Sequence, residues 1–563
     1  MARRGSLFRR LLGLETEYAI RFAPDGEHPG NDVAFQAVKR ALSHLVATRP
    51  GHSAPGRDQL FTQNGGAFYY EYLPHCLWGG LVEGATPECR GPGQLLVYQR
   101  AQEELLLAAL PLAEDELRSQ GFPGRLGLLK NSRDAEGHVY GSQENYEVPI
   151  ARGLGLALYR LGVAALLPLL LVQTLATYLL VLLILIGVIL GTVVMLFVPR
   201  WRRRLEQLSE DQRELEITLG RFQLWFTLIV TWPITTLFAL LLRLVAFRRE
   251  RRRALAFLVT RTVIVGAGSV DGERRFRLAE KAQSIRKLMR STILPEDRPI
   301  FDTGNLIKML AAPFNLQLDP VVRLFRQRQR LQLNLADSNR AQVAEYLKVG
   351  TAALVLDMIG DDRLAGAPRL RDPVAALRAL ADDPTLRTPL ELAGGATASA
   401  LEIQRWYQEQ ARDFLRESTA TSMEARQVVR LWGEVLDAYD EGDPGRLVGR
   451  VDWVTKRYLL ERCGAEDDAA TLKTLDLRYH ELGEGYFDQL ARAGETAVLA
   501  DPAAVERATR EPPEDSPAFV RGGLIRSEAG SGARLIVSWD SAYVGQRLRG
   551  KVIPFRPRRR RGP

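Results

Sequence analysis

Cysteine is scarce in this sequence: Cys76, Cys89 and Cys463 are the only three in 563 residues, and no CxxC pair exists. That scarcity excludes a zinc ribbon or a disulfide framework and leaves reduced structural thiols in a cytoplasmic compartment as the plain reading. Histidine is nearly as rare, with six (His28, His44, His52, His75, His138, His480) and no HExxH spacing. A bound metal is therefore expected on carboxylates, which suits Mg2+. A secretory leader is not expected. After Arg3, Arg4, Arg9 and Arg10 the apolar stretch is only Leu11-Leu12-Gly13-Leu14, and Glu15 and Glu17 follow at once; no apolar leader core forms.

Long apolar runs, by contrast, are present. Residues 163–198 are almost wholly apolar, and a second run extends from Phe222 to Phe247, with Trp232-Pro233 inside it and Arg243 near its end. A helix needs about 20 residues to cross the hydrocarbon core. Two membrane spans, about 168–198 and 222–247, are the expectation, joined by the charged stretch Arg200–Arg221. An even number of spans returns the chain to the side it left. The formal net charge is +9, and arginine clusters at 200–204, at 248–253 and in the tail Arg556–Arg561. Basic blocks beside apolar segments point to membrane topology and anionic lipid, not to nucleic acid.

The chemistry-bearing segments lie outside those runs. Leu12 to Ile20 alternates apolar and polar residues, as a strand does. On a strand Glu15 and Glu17 share one face, about 7 Å apart. Two carboxylates aimed into one cavity favour a cation between them, and Mg2+ with nucleotide phosphates is the natural occupant; a solvated strand face is the alternative. Asn64 to Tyr72 reads as a turn feeding a strand, and Glu83 to Arg90 precedes an amphipathic helix from about Gln94 to Leu110. Lys130-Asn131-Ser132, Gly141 to Tyr146 and Ala336 to Asn339 are further polar blocks. The run Thr262 to Gly268 resembles a dinucleotide fingerprint, but its third glycine position is Asp271, so it is read as strand and turn. The apolar spacing around Val428 to Leu436 reads as a core helix.

Taken in order, these blocks resemble the Pup ligase and Pup deamidase/depupylase family, whose catalytic domain is similar to glutamine synthetase and other carboxylate–amine ligases. The family's opening strand, Gly-x-Glu-Thr/Val-Glu-Tyr/Phe-Gly, is matched by Gly13 to Ala19. Its Asn-Gly-Ala-Arg-x-Tyr-x-Asp strand is matched by Asn64 to Glu71, and its His-Pro-Glu-Tyr-x-x-x-Glu-Cys stretch in part by Glu83 to Cys89. Lys130 to Tyr146, Phe257 to Gly268, Asp337 to Ile359, Leu392 to Gln404, Asp452 to Arg457 and Asp476 to His480 continue the match along nearly the whole chain. The stretch between Tyr146 and Phe257, which holds both apolar runs, has no counterpart in the family pattern.

The resemblance implies an α+β fold, a glutamine-synthetase-like curved antiparallel sheet lined by helices, into which the apolar runs would insert a transmembrane helical hairpin. The expected organisation is catalytic domain at 1–150 and 255–484, membrane hairpin at 151–254, small C-terminal domain at 485–555 and basic tail at 556–563. It implies an ATP and Mg2+ site with Glu15, Glu17 and Glu83 as metal ligands. Cofactor contacts fall on Tyr69, Thr86, Lys130, Glu144 and Asn145, and the catalytic carboxylate on Glu71, one methylene longer than the family's aspartate. Two further departures are Gln143 in place of histidine and a shortened loop at Asp302 to Leu306.

Pro87, Ala344 to Lys348, Asp372 to Leu377 and Ser538 to Ser541 resemble the depupylase side of the family. The expected reaction is accordingly ATP-dependent hydrolysis at the C-terminal Glu or Gln of Pup or a Pup-like modifier. Ligation of that glutamate to client lysines through a γ-glutamyl phosphate is the alternative, and a membrane-tethered Pup-binding protein the third reading. The expected setting is the inner membrane, with the catalytic domain cytoplasmic.

Overall fold

The computed structural model describes residues 7–51, 58–72, 79–134, 137–197, 232–289, 298–303, 318–418, 422–462, 469–528, 535–546 and 549–555. The chain divides into two compact units. One holds residues up to Glu147, Arg249–Ile285 and Leu333 onward; the other holds Val148–Arg248 and Arg286–Gln332.

The first unit is built on an antiparallel sheet. Its strands are β1 (Leu12–Pro24), β2 (Thr48–Pro50), β3 (Gln59–Thr62), β4 (Ala67–Tyr72), β5 (Gly80–Ala85), β6 (Gly124–Leu129) and β7 (Ser142–Pro149). They run in the order β7-β1-β5-β4-β3-β2, and β6 pairs with the later half of β1. The alternation seen from Leu12 to Ile20 continues to Pro24, and it sorts side chains to two faces. Tyr18, Phe68, Tyr70 and Val82 point to one face. There they pack with Phe35, Val38 and Leu42 of helix α1 (Asn31–Leu45) and Leu105, Leu106 and Ala109 of helix α2 (Pro92–Ser119). Gly91 opens α2 in a left-handed conformation (φ +76), and a Cβ there would lie 2.4 Å from the Glu424 carboxylate. Pro92 follows at the first helical position, where its missing N–H is harmless.

The other face is covered at one end by the C-terminal segment. A three-stranded antiparallel sheet (Leu535–Val537, Ser541–Gln546, Arg549–Pro554) and helix Pro517–Ser527 bury Phe61, Ala67, Tyr69 and Ala85. The expected core helix is present as Met423–Asp440, with Trp432 fully buried. Thr262 to Val265 corrects its reading: it is a short helix, not a strand, and Gly268 (φ +70) makes the turn after it. β-branched residues have no local preference for that turn of helix; burial of all four side chains decides it.

The second unit holds the apolar insertion. Helix Leu154–Phe197 starts well before the expected span boundary and carries Pro168 inside it. Its stretch Leu154–Gly191 has mean hydropathy 2.6 and is mostly exposed. Of the expected second arm, 222–247, the described residues hold the apolar helix Trp232–Val245. Among the described residues one helix is long and apolar enough to cross a bilayer. The remainder of the second apolar run, 222–231, and the charged stretch Arg200–Arg221 lie outside the described residues, as does the basic tail. Strands Lys287–Met289 and Pro299–Asp302 pair in parallel, so the chain's strands are not antiparallel throughout.

Candidate active site

The register of the sheet places most of the expected site residues on its open face. Glu17 stands opposite Glu83 across β1 and β5, and Glu83 stands opposite Tyr69 across β5 and β4. One row away Glu15 stands opposite Ala85 and Gln143; one row the other way Glu71 stands opposite Leu81. Asn145 pairs with Gly13 on that same face. Directly opposed side chains on neighbouring strands are about 5 Å apart, and like charges there are unfavourable by themselves. Glu17 and Glu83 are 9% and 3% exposed. Two buried, opposed carboxylates with a third at the edge make an oxygen donor set that fits a divalent cation of the Mg2+ type. The Glu17 carboxylate is oriented by the Gly141 N–H (2.7 Å) and the Gln143 side-chain amide (3.2 Å). Gln143, which replaces a family histidine, thus acts on a carboxylate of the row.

Thr86 sits beside this face with its hydroxyl already engaged: Oγ1 accepts from the Leu14 N–H at 3.0 Å. A Cβ on Gly13 would come within 3.9 Å of that oxygen and 4.0 Å of the Asn145 Cβ. Glu71, half-buried near the end of β4, lies at the rim of the face, next to exposed Tyr72.

Lys130 and Glu144 are not brought to this face. Strand alternation turns Glu144 the other way, where its carboxylate pairs with Arg261 (2.5 and 3.0 Å) and accepts from the Tyr146 hydroxyl (2.6 Å). Lys130 is fully buried between Glu103 (2.7 Å) and Glu345 (2.9 Å). Burial alone would raise the Glu103 carboxyl, but Lys130, Arg100 and Arg340 hold it down at about 2. Both residues sit in the packed interior, away from the row Glu17–Glu83–Tyr69.

Two residues at this site carry no local signal that marks them. The Trp539 indole N–H donates to the Tyr69 hydroxyl at 2.7 Å, and the Arg521 guanidinium lies over the Trp539 ring, 4.5 Å from its centroid. The run Ser538 to Ser541 is noticeable as a block, but its link to β4 spans 470 positions. The position of Arg in the family strand is Ala67 here, and it packs with Ile525, Leu535 and Val537. Asp302 accepts from the Thr303 N–H (2.7 Å); the rest of that loop, 304–306, and His75, Cys76 and Trp78 lie outside the described residues.

A second cluster with metal-ligand spacing, Glu280, Asp476 and His480, is fully buried. The Lys456 ammonium fills it, donating to Asp476 (2.6 Å) and lying 2.7 Å from His480 Nε2. An internal cation already takes the place a metal would occupy.

A sheet with helices on one face and a row of carboxylates on the other defines an α+β scaffold. The chain belongs to the Pup-ligase family, an enzyme family: the family described as Pup-ligase protein matches residues 10–543. The Pup–protein ligases of Mycolicibacterium smegmatis and Actinosynnema mirum are each 28% identical to it, with 97% of both chains covered. The ligase PafA in its crystal complex with the prokaryotic ubiquitin-like protein Pup aligns at TM-score 0.68 and 21% identity, over 99% of this chain and 91% of that one. PafA in complex with ADP aligns at TM-score 0.61 and 21% identity, over 96% and 94%.

These relatives overturn the depupylase expectation, since they carry the ligase name. The segments that suggested depupylation do structural work. Glu345 and Lys348 belong to the buried ionic network, Asp372 caps helix Pro373–Ala381, Ser538 and Ser541 close a turn, and the Pro87 carbonyl accepts from the buried Cys89 thiol. Residues that hold a scaffold together do not report the direction of the reaction run on it.

Proposed function

We propose that this chain is an ATP-dependent ligase that joins the C-terminal glutamate of Pup, or of a Pup-like modifier, to lysine side chains of client proteins. The observation that carries the reading is the row Glu17–Glu83–Tyr69, flanked by Glu15 and Glu71 on the same sheet face. Glu15, Glu17 and Glu83 would hold Mg2+, and Tyr69, Asn145 and the Thr86 region would line the nucleotide. Bound ATP supplies the phosphoryl group that activates the modifier's carboxylate. Glu71, at the rim, takes the proton from the incoming lysine amine. Its extra methylene relative to aspartate shifts the carboxylate by about 1 Å, a displacement worth on the order of a hundredfold in rate when uncompensated.

Helix Leu154–Phe197 would cross a membrane and tether the enzyme there, and the second apolar run, 222–247, would return the chain so that the catalytic unit stays on the cytoplasmic side. The length and hydropathy of Leu154–Gly191 and the arginines at 248–253 support this. A tethering protein that binds Pup without turnover is favoured by the departures from the family pattern: Glu71 for aspartate, the shortened loop at Asp302 to Leu306, and Ala67 where the family strand carries arginine.

The test is conjugation. Detergent-solubilised full-length chain, ATP, Mg2+, Pup ending in glutamate and a lysine-rich client are incubated and followed by mass spectrometry. A client mass increased by one Pup less one water, with ADP released, and absent with Glu71→Ala, is expected. Pup and ATP bound with no conjugate formed would establish the tethering reading instead.

A further inference from the structure

Arg521 lies on helix Pro517–Ser527 with 0% exposure, far in sequence from every strand of the carboxylate face. Its guanidinium has five N–H donors, and all are engaged. Nε and Nη2 donate to the Gly65 carbonyl (3.0 and 2.7 Å). Nη1 and Nη2 donate to the two Glu88 carboxylate oxygens (3.2 and 2.5 Å), and Nη1 also reaches the Trp539 carbonyl (2.7 Å). Arg261 and Arg340, equally buried, each leave Nε without a hydrogen-bond partner. The Arg521 fork is thus matched to three chain segments at once: the β3–β4 turn, the residues after β5, and the C-terminal sheet.

The backbone is shaped to the same junction. Gly65 adopts φ +85, and a Cβ there would lie 2.7 Å from the Ala518 Cβ, so the turn and the helix meet where only glycine fits. The guanidinium carbon lies over the Trp539 ring, 4.5 Å from its centroid, and the indole N–H of that ring donates to the Tyr69 hydroxyl. Buried arginine–carboxylate pairs add little net stability over apolar substitutes. What this one supplies is geometry.

We propose that Arg521 is a positioning residue for the nucleotide site: through Trp539 it fixes the Tyr69 hydroxyl in the row with Glu17 and Glu83, so that Mg·ATP affinity depends on a side chain of the C-terminal segment. This rests on the nucleotide reading of that face.

Mg·ATP binding is measured by calorimetry on the detergent-solubilised full chain. Arg521→Lys, which keeps the charge but loses the planar fork, is expected to weaken binding at least about tenfold while conjugation at saturating ATP falls much less. Trp539→Phe is expected to weaken it by a similar factor. The double variant should be no weaker than the worse single, because both act through one chain of contacts. Glu88→Gln, the milder change, should shift affinity in the same direction by less. Should Arg521→Lys fail to fold, Glu88→Gln and its double with Trp539→Phe supply the same cycle. Unchanged affinity in Arg521→Lys or Glu88→Gln, or losses that simply multiply, would overturn the proposal. Glu83→Gln separates the two levels. If it too leaves Mg·ATP binding unchanged, the nucleotide reading of the face fails; if it weakens binding while the Arg521 and Glu88 variants do not, only the positioning role fails.

Discussion

The two faces of one sheet use the same residue types in opposite ways. On the helix-packed face every carboxylate of the network meets a cation of the chain: Glu144 meets Arg261, Glu103 meets Lys130 and Arg340, and Glu345 meets Lys130. On the open face carboxylate stands opposite carboxylate, Glu17 against Glu83. The difference is one of purpose. Charge paired within the chain holds helices to a sheet, whereas carboxylates opposed across a sheet face form the kind of oxygen donor set that suits a divalent cation. Strand alternation takes Glu144 out of the open face, since it and Asn145 are neighbours in sequence and lie on opposite faces, while Glu103 and Glu345 come from helices.

The comparison breaks most sharply at Glu71. Glu71→Ala is expected to lower the conjugation rate by up to about 10⁴-fold and to leave the melting temperature in place. A comparable loss of folding would mean that Glu71 is structural. Arg261→Met is the converse case. It strands Glu144 in the interior, and breaking a buried pair in this way costs about 3–5 kcal/mol. Denaturant unfolding should show that loss. Arg261→Met with Glu144→Met should recover much of it, because no charge is then left alone. An Arg261→Met chain as stable as the parent would dissolve the distinction between the faces.

The open face was largely legible in the sequence, because a period of two is a local property. Leu12 to Ile20 shows it, and Glu15 and Glu17 could be set on one side by spacing alone. Which strand lies next to β1 is not local, so Glu83 and Tyr69 entered only through the family resemblance. The placement of Lys130 and Glu144 is out of reach for the same reason. A lysine or glutamate in a polar block has the same letters whether it meets a nucleotide or Glu103 and Arg261, and only the tertiary fold decides. Arg521 and Trp539 left no local pattern, since they act across more than 450 positions. The apolar insertion was legible as composition, but where its helix begins was not, because Leu154 to Gly162 lacks the uniform apolarity of the residues beyond Val163.

A smaller effect tests the internally neutralised side by pH. Burial raises the Glu280 carboxyl to about 8, with Asp476 and Asp337 adding to it and Lys456 opposing. Burial and Lys456 push His480 well below its ordinary value of 6.5. A carboxyl whose folded value lies above its unfolded one stabilises the fold most below the unfolded value, and that stability is lost as pH rises through the folded value. A base whose folded value is depressed contributes above its unfolded value and loses that contribution as pH falls. Between pH 6.5 and 8, therefore, His480 is constant and Glu280 makes the protein less stable with rising pH. Glu280→Gln keeps the acceptor for the Ser132 N–H (2.8 Å) and removes the titration. The parent should lose about 1–2 kcal/mol relative to the variant across that window; parallel melting curves at the two pH values would show that Glu280 does not titrate there.

The smallest expected effect lies away from both faces and bears on the direction of the reaction. Asp372 was among the residues that suggested depupylation, yet its exposed carboxylate accepts from the Val374 and Ala375 N–H groups at 3.0 Å each, as a helix N-cap. Removing such a cap costs about 1 kcal/mol. Asp372→Ala should therefore lower the melting temperature by a few degrees at most, and leave the conjugation rate and Mg·ATP affinity unchanged. Asp372→Asn, which retains an acceptor oxygen, should recover most of the stability. A change in conjugation rate without a change in stability would mean that this segment touches the chemistry after all, and that the division between scaffold carboxylates and open-face carboxylates falls in the wrong place.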